Sequence, residues 1–246
     1  MGVLEIHNLR KSFNGTKVIN DFSFDLTELT LNCLVGPNGA GKTTTMDLIT
    51  GRQKPDSGRI VLRGDDITGL GEHEIAQRGI GRKFQVPAVF RDLSVRQNFE
   101  VAYSRQTNPF RNMAGRQPPG FAPRLAEVTD LTGLADRLGT EAGLLSHGET
   151  QWLEIGMVLM QDPAIMLLDE PVAGMTEAEI EKTVGILNRL KRTNTLIVVE
   201  HDMGFVRQIA DVVTVMHMGS FLAQGSLREI EADARVREVY LGEPEV

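Results

Sequence analysis

The segment Gly36-Pro37-Asn38-Gly39-Ala40-Gly41-Lys42-Thr43-Thr44 follows directly on the apolar run Leu31-Asn32-Cys33-Leu34-Val35, and it constrains the chain more than any other feature. The run reads as a buried strand, and Thr43 to Thr50 as the start of a helix. The segment satisfies G-x-x-x-x-G-K-[ST] at every fixed position. A strand, a glycine turn and a helix N-terminus leave backbone N–H groups pointing at one place, and the helix dipole favours an anion there. Gly36, Gly39 and Gly41 let the backbone close around phosphate oxygens because no Cβ intervenes. Lys42 then reaches the β- and γ-phosphates, and the Thr43 hydroxyl is placed to ligate Mg²⁺. An ordinary glycine turn would leave Lys42 and Thr43 unexplained.

At 246 residues, 41% hydrophobic and 24% charged, the chain is long enough for one large α/β domain with a small appendage. Its net charge of −7 disfavours nucleic acid as a main partner, because such binding relies on clustered Lys and Arg. Cys33 is the single cysteine, so no intrachain disulfide forms, which suits a reducing compartment. Its place in an apolar strand predicts a buried, inert thiol. The N-terminus lacks the basic and apolar segments of a signal peptide. No apolar run approaches the roughly 20 residues that span a bilayer. These features predict a cytoplasmic chain that can still dock on membrane proteins.

Alternating apolar residues predict antiparallel strands over Val3–Leu9 and Val18–Leu26, with Asn14-Gly15 as a turn between them. Arg59–Leu62 reads as a short strand after the turn Pro55-Asp56-Ser57-Gly58. Glu72–Arg78 reads as a helix, and Gly79–Phe84 returns to the sheet. The character then changes. Ser94–Ser104 has helical periodicity, with Ser94 as its cap. Asn108–Pro123 is rich in proline and reads as an irregular connection. Arg124–Leu131 is helical again. Residues 86–160 are therefore expected to form a helical subdomain inserted into the core. From Ala164 the alternation resumes, with strands at Ile165–Leu168, Thr195–Val199 and Val212–Met216 and helices at Thr176–Lys191 and Met203–Ile209. This order implies a mainly parallel sheet with helices packed on it.

Two further segments carry chemistry. Ile165-Met166-Leu167-Leu168-Asp169-Glu170 is a buried strand ending in two carboxylates, and strand ends are where ligands bind in such sheets. Asp169 suits a Mg²⁺ contact, and Glu170 suits general-base work on the water that attacks ATP. Leu145-Ser146-His147-Gly148-Glu149-Thr150-Gln151 joins a Ser cap to a helix start. Taken alone it is equally a capping box, Ser146 with Glu149, and nothing more.

Together these segments resemble the ATP-binding subunit of an ABC (ATP-binding cassette) transporter. Gly36–Thr44 is similar to the family's Walker A loop, Ile165–Asp169 to its Walker B strand, and LSHGE at 145–149 to its LSGGQ signature. Gln85 follows a strand as the Q-loop glutamine does, and His201 as the switch histidine does. Phe13 stands at the place of the adenine-stacking aromatic. The resemblance runs from Val3 to about Ala223. It implies a P-loop NTPase (RecA-like) α/β fold with an antiparallel β subdomain and the inserted helical one, and it implies ATP and Mg²⁺ as cofactors. The nucleotide-binding set would be Phe13, Gly36, Asn38, Gly39, Ala40, Gly41, Lys42, Thr43, Thr44, Ser146 and Gly148. Thr43, Gln85 and Asp169 would serve the metal, and Glu170, His201 and Gln85 the hydrolysis. Two ATPase subunits, alike or different, would sandwich two nucleotides, with Ser146 and Gly148 contacting the γ-phosphate held by the facing loop. Permease subunits in the membrane would receive the stroke, a solute-binding protein would act indirectly, and the chain would sit on the inner face of the cell membrane.

Two departures stand out. His147 replaces a glycine and Glu149 a glutamine in the signature, so Glu149 brings a negative charge near a triphosphate unless it points away. Thr176 occupies about the place of the family's D-loop aspartate, where its hydroxyl can cap the next helix. The stretches Gly79–Gln85 and Val199–Met203 resemble the ATPases of importers for branched-chain amino acids, amides and urea. Leu145–Gly156 and Glu170–Thr176 look most like the urea importer's. Arg237–Glu243 reads as a short C-terminal helix of that branch. Val86, Pro87, Ala88, Val89, Phe90 and Leu93 would suit a permease-docking surface if exposed, or a subdomain core if not. The alternatives are a branched-chain amino acid importer, a lipid or lipopolysaccharide exporter, and a soluble ABC protein of DNA repair or translation. The last fits poorly with one cassette and an acidic charge. An adenylate-type kinase would leave LSHGE and His201 unexplained.

Overall fold

The computed structural model describes residues 2–83, 89–103 and 119–241. Its contacts gather into two compact units, one of Met1–Arg82, Ala164–Glu170 and Leu190–Val246, the other of Lys83–Pro163 and Pro171–Arg189.

In chain order the elements are β1 (Leu4–Phe13), β2 (Thr16–Leu26), β3 (Leu31–Val35), α1 (Lys42–Ile49), β4 (Ser57–Leu62), β5 (Asp65–Asp66), α2 (Glu72–Gln77), β6 (Ile80–Lys83), α3 (Val95–Tyr103), α4 (Phe121–Thr132) and α5 (His147–Leu159). There follow β7 (Ile165–Asp169), α6 (Glu177–Leu190), β8 (Thr195–Val199), α7 (Met203–Ile209), β9 (Val212–His217), β10 (Ser220–Gly225), α8 (Leu227–Ala232) and α9 (Ala234–Leu241).

The first unit holds two sheets. One is antiparallel, in the order β2-β1-β4-β5. The β1–β2 hairpin turns on Asn14 and Gly15 alone, both at positive φ (47° and 83°), and Phe13 pairs directly with Thr16. Such a two-residue turn matches the strand twist, so both strands run on to the turn, past the limits that alternation predicts. The other sheet has the order β10-β9-β3-β8-β7-β6. β3 lies parallel between β8 and β9, and β7 lies parallel to β8. Every residue of β3, β7 and β8 is buried, as expected of parallel strands covered on both faces. The expected strand Gly79–Phe84 is found as β6, and Phe84 lies outside the described residues. One core joins the two sheets, with Leu4, Ile6, Phe22, Ile60 and Met46 packed together with Leu34, Ile165 and Leu167. Burying a side chain such as Phe22 stabilises the unit by roughly 1.5–3 kcal/mol.

The edge strand β10 has no counterpart in the sequence reading. Ser220, Gln224 and Gly225 have little intrinsic strand preference. They are recruited by a second tight hairpin, with Met218 and Gly219 at φ 47° and 76° and Ser220 paired with His217.

The second unit is helical. α3 buries Val95 and Phe99, α4 buries Phe121, Leu125 and Val128, and α5 buries Trp152, Leu153 and Ile155. Ser94 caps α3 as expected, its hydroxyl accepting from Gln97 N at 3.2 Å while Gln97 Oε1 accepts from Ser94 N at 2.9 Å. α4 begins at Phe121, inside the stretch that proline content marks as irregular. Pro123 falls in the first helical turn, where its missing N–H has no intrahelical partner to lose. Residues 104–118 lie outside the described residues. A larger difference concerns Pro171–Arg189, which belongs to the helical unit and not, as the β/α alternation implies, to the sheet unit. The Trp152 indole N–H donates to Thr183 Oγ1 of α6 at 3.0 Å, and Lys182 Nζ lies 3.6 Å from the Trp152 ring centroid. Among the described residues no helix is long and apolar enough to cross a membrane.

Candidate functional site

β3 delivers the chain to the centre of the parallel sheet, and the loop 36–41 turns there into α1. Gly36 is required by close approach: a Cβ there would lie 2.3 Å from the Met216 carbonyl oxygen of β9. Gly41 is the N-cap of α1 at φ 100°, and no side chain caps the helix. The first amides of α1 therefore have no partner in the helix, while Ala40 N is spent on Pro37 O and Thr45 N on Gly41 O. An uncapped N-terminus behind a glycine loop is an anion cradle. Lys42 Nζ donates to Gly36 O at 2.6 Å and Pro37 O at 3.0 Å, which holds it across the loop. Burial lowers its pKa from the ordinary lysine value, opposed by the negative charges of Glu170 and Asp169. Asn38 and Gly39 are exposed on the loop and Thr43 on the first turn of α1, Thr44 is partly buried, and Ala40 is buried.

The carboxylates come from the end of β7, two strands from β3. Asp169 closes β7 and is 2% exposed. Glu170 follows at φ 45°, a left-handed conformation costly for a side-chain-bearing residue and typical of functional turns. Its N–H donates to Val199 O at 3.0 Å, so β8 fixes the bend. His201 follows β8 two residues later, and its Nδ1 lies 3.4 Å from Glu170 Oε1 and 3.9 Å from Glu200 Oε2. The sheet thus brings the expected general base and the expected switch histidine into direct contact.

Sequence reasoning missed Arg82. Its guanidinium, 4% exposed, meets Asp47 Oδ1 at 2.6 Å and Asp169 Oδ2 at 3.4 Å. Asp47 stands four positions beyond Thr43 on α1, on the same helix face. Arg82 therefore ties the phosphate-loop helix to the end of the carboxylate strand. A lone Arg in a strand gives no signal of this role.

Phe13 ends β1, is 39% exposed, and has Lys11 Nζ 5.2 Å from its ring centroid. Gln85 lies outside the described residues. No group of three His, Cys, Asp or Glu side chains suited to a metal occurs among the described residues. The donor set nevertheless fits Mg²⁺ carried by a nucleotide, since Mg²⁺ keeps several waters and takes one or two protein oxygens plus phosphates. Cys33 is buried and reduced, and burial first, then Glu200 and Asp211, raises its pKa far above the ordinary thiol value.

In the helical unit, Ser146 caps α5. Its hydroxyl accepts from Glu149 N at 3.1 Å, and Glu149 Oε2 accepts from Ser146 N at 2.9 Å. Arg137 Nε donates to the other Glu149 oxygen at 2.8 Å. The charge that Glu149 introduces is thus turned back onto its own helix end. Its pKa lies below the usual carboxylate range, mainly through the Ser146 amide. His147 Nε2 lies 2.9 Å from Ala173 O and must carry the proton there, because a carbonyl only accepts. Thr176 caps α6, accepting from Glu179 N at 3.4 Å and donating N–H and hydroxyl to Glu179 Oε2 at 3.0 Å each. Glu179 Oε1 also accepts from Gly148 N at 3.1 Å and Ser146 Oγ at 3.3 Å, a contact that sequence reasoning missed.

Residues 19–173 match the sequence profile of the family described as ABC transporter. The chain is 33% identical to the high-affinity branched-chain amino acid transport ATP-binding protein BraF of Pseudomonas aeruginosa over 98% of each chain. It is 33% identical to LivG of Salmonella typhimurium, also described as a high-affinity branched-chain amino acid transport ATP-binding protein, over 98% of each. It is 32% identical to LptB of Haemophilus influenzae, the lipopolysaccharide export system ATP-binding protein, over 99% of this chain and 98% of that one. Among solved structures, an ABC transporter's ATP-binding cassette in its ADP conformation superposes with a TM-score of 0.86 at 28% identity, covering 99% of this chain and all of that one. A nucleotide-free ABC transporter cassette gives 0.85 at 27% identity with the same coverage.

Proposed function

The chain belongs to the ABC transporter family as an ATP-binding subunit and ATPase, and from that premise we propose that it powers an importer of the branched-chain amino acid group. Two ATPase subunits, two copies of this chain or this chain and a second one, close head to tail over two nucleotides. In each site the amides of Gly39 and of Gly41 to Thr44 and the Lys42 ammonium hold the β- and γ-phosphates, with Ala40 shaping the loop and Phe13 against the adenine. Thr43, Asp169 and Gln85 would hold Mg²⁺, which supplies charge neutralisation for the phosphates. Ser146 and Gly148 of the facing subunit complete the γ-phosphate shell. A water attacks the γ-phosphorus, Glu170 takes its proton, His201 positions it, and ADP leaves with the bridging oxygen.

The observation that carries this reading is the bend at Glu170: its left-handed backbone aims a carboxylate beside His201 at the edge of an uncapped phosphate loop. Glu170→Gln should bind MgATP, lose hydrolysis and accumulate as a nucleotide-bound dimer. A variant that stays monomeric at saturating MgATP, by light scattering, would remove two copies of this chain as the sandwich and leave only pairing with a second, different ATPase.

The relatives BraF and LivG support a branched-chain amino acid cargo over the urea cargo that the 145–156 run suggests. Urea is kept as a second reading on that run and Glu170–Thr176 alone. Cargo contacts belong to other subunits, so the test is uptake of labelled leucine and labelled urea in cells carrying wild type or Glu170→Gln. Loss of leucine uptake supports the proposal. Loss of urea uptake alone moves the chain to the urea branch, and loss of neither points to export.

A further inference from the structure

The Glu179 carboxylate is bound as a phosphate would be. It takes four donors, Thr176 N and Oγ1 on Oε2 and Gly148 N and Ser146 Oγ on Oε1. All four are neutral, and they come from the N-termini of two helices, α5 and α6, each of which favours a negative charge. Among the described residues no Lys, Arg or His pairs with Glu179. The fit is close: Gly148 is buried, and a Cβ on it would lie 2.3 Å from Glu179 Oε1. The bonds from the Thr176 amide, first among several, hold the Glu179 pKa below the usual carboxylate range, so the group is ionised at neutral pH.

We propose that Glu179 is an internal stand-in for the γ-phosphate of the facing subunit, occupying the Ser146 and Gly148 donors until subunit closure displaces it. The inference rests on the proposed role of Ser146 and Gly148 in the sandwich. The reasoning is one of exclusion. A single N–H and a single hydroxyl hydrogen cannot serve a carboxylate and a phosphate at full strength together, and the two anions repel at contact distance. Closure therefore has to turn the Glu179 side chain off Oε1's two partners. The Thr176 bonds on Oε2 can be kept, which leaves α6 capped while α5 opens. Until then the donors are held aimed at an anion, and binding of the partner's nucleotide carries a population penalty set by how firmly Glu179 sits. This makes Glu179 a positioning residue with a sign opposite to that of a structural cap.

The test uses the full chain carrying Glu170→Gln, with and without Glu179→Gln, and sedimentation velocity across an MgATP titration. Glutamine keeps the shape and one acceptor but removes the charge. The expected result is that half-maximal dimer formation shifts to lower MgATP by about tenfold, the scale of one charge-assisted hydrogen bond, while the melting temperature without nucleotide falls. Unchanged or weaker dimerisation with the same fall in melting temperature makes Glu179 a cap only and overturns the proposal. Glu179→Ala, which removes the acceptor altogether, must shift the titration in the same direction as Glu179→Gln. Gly148→Asp in the Glu170→Gln chain separates the two claims. If it abolishes the dimer while Glu179→Gln has no effect, the sandwich reading stands and the stand-in falls. If Gly148→Asp dimerises normally, the sandwich reading itself falls.

Discussion

Arg82→Met removes a guanidinium from between two carboxylates, and the structure sets the scale of the loss. Arg82 is 4% exposed, Asp169 2% and Asp47 19%, with contacts of 2.6 Å to Asp47 and 3.4 Å to Asp169. Breaking a buried ion pair from one side typically costs about 3–5 kcal/mol, because the remaining charge stays in a poorly solvated place. Here the longer contact and the partial hydration of Asp47 argue for the lower end, about 3 kcal/mol. For a chain of 246 residues that corresponds to a melting point lowered by about 6–12 °C. The assay is calorimetry on wild type, Arg82→Met, Asp47→Asn and the double variant. If carboxylate repulsion is the cause, Asp47→Asn restores part of the loss in the Arg82→Met background and costs stability in the wild type. An Arg82→Met protein within about 1 kcal/mol of wild type, or a double variant with simply additive losses, would refute the reasoning.

Three other outcomes follow from the geometry. Gly36→Ala drives a methyl to 2.3 Å from the Met216 carbonyl, so β3 and β9 must shift; about 1–3 kcal/mol of destabilisation and weakened ATP binding are expected, by thermal melts and nucleotide titration. Trp152→Phe deletes the donor to Thr183 and should cost about 1 kcal/mol in chemical denaturation. The Glu149 pKa is depressed in the folded chain, so its contribution is present above the ordinary carboxylate pKa and is lost as pH falls through the lower folded value. Glu149→Gln should therefore flatten the melting temperature against pH below the ordinary carboxylate value, with its full, constant deficit at neutral pH shrinking as the solution is acidified.

The parts of the site legible in the sequence are those whose chemistry is contiguous. The loop at 36–44, the capping residues Ser94 and Ser146 and the strand ending in Asp169-Glu170 each place donors and acceptors within a few residues of one another. Backbone geometry alone then decides where they point. The apolar runs of β3, β7 and β8 were readable for a similar reason, since burial on both faces writes itself into every position. β10 was not readable, because its pairing with β9 and not its own composition makes it a strand.

What the sequence by itself determined is a phosphate loop, a carboxylate strand, a signature-like cap and a mainly parallel α/β sheet. What only the tertiary structure decided is which distant groups meet. His201 reaches Glu170 because β8 is the neighbour of β7 in the sheet order. Arg82 reaches Asp169 across 87 residues because β6 is the next strand beyond. Glu179 reaches Gly148, 31 residues away, because α6 packs in the helical unit and brings its first turn to the start of α5. Local hydrogen-bonding geometry is fixed by neighbouring residues, whereas strand order and helix packing are set by the burial of apolar faces throughout the chain. A charge carries no mark in the sequence of the partner that burial will bring to it.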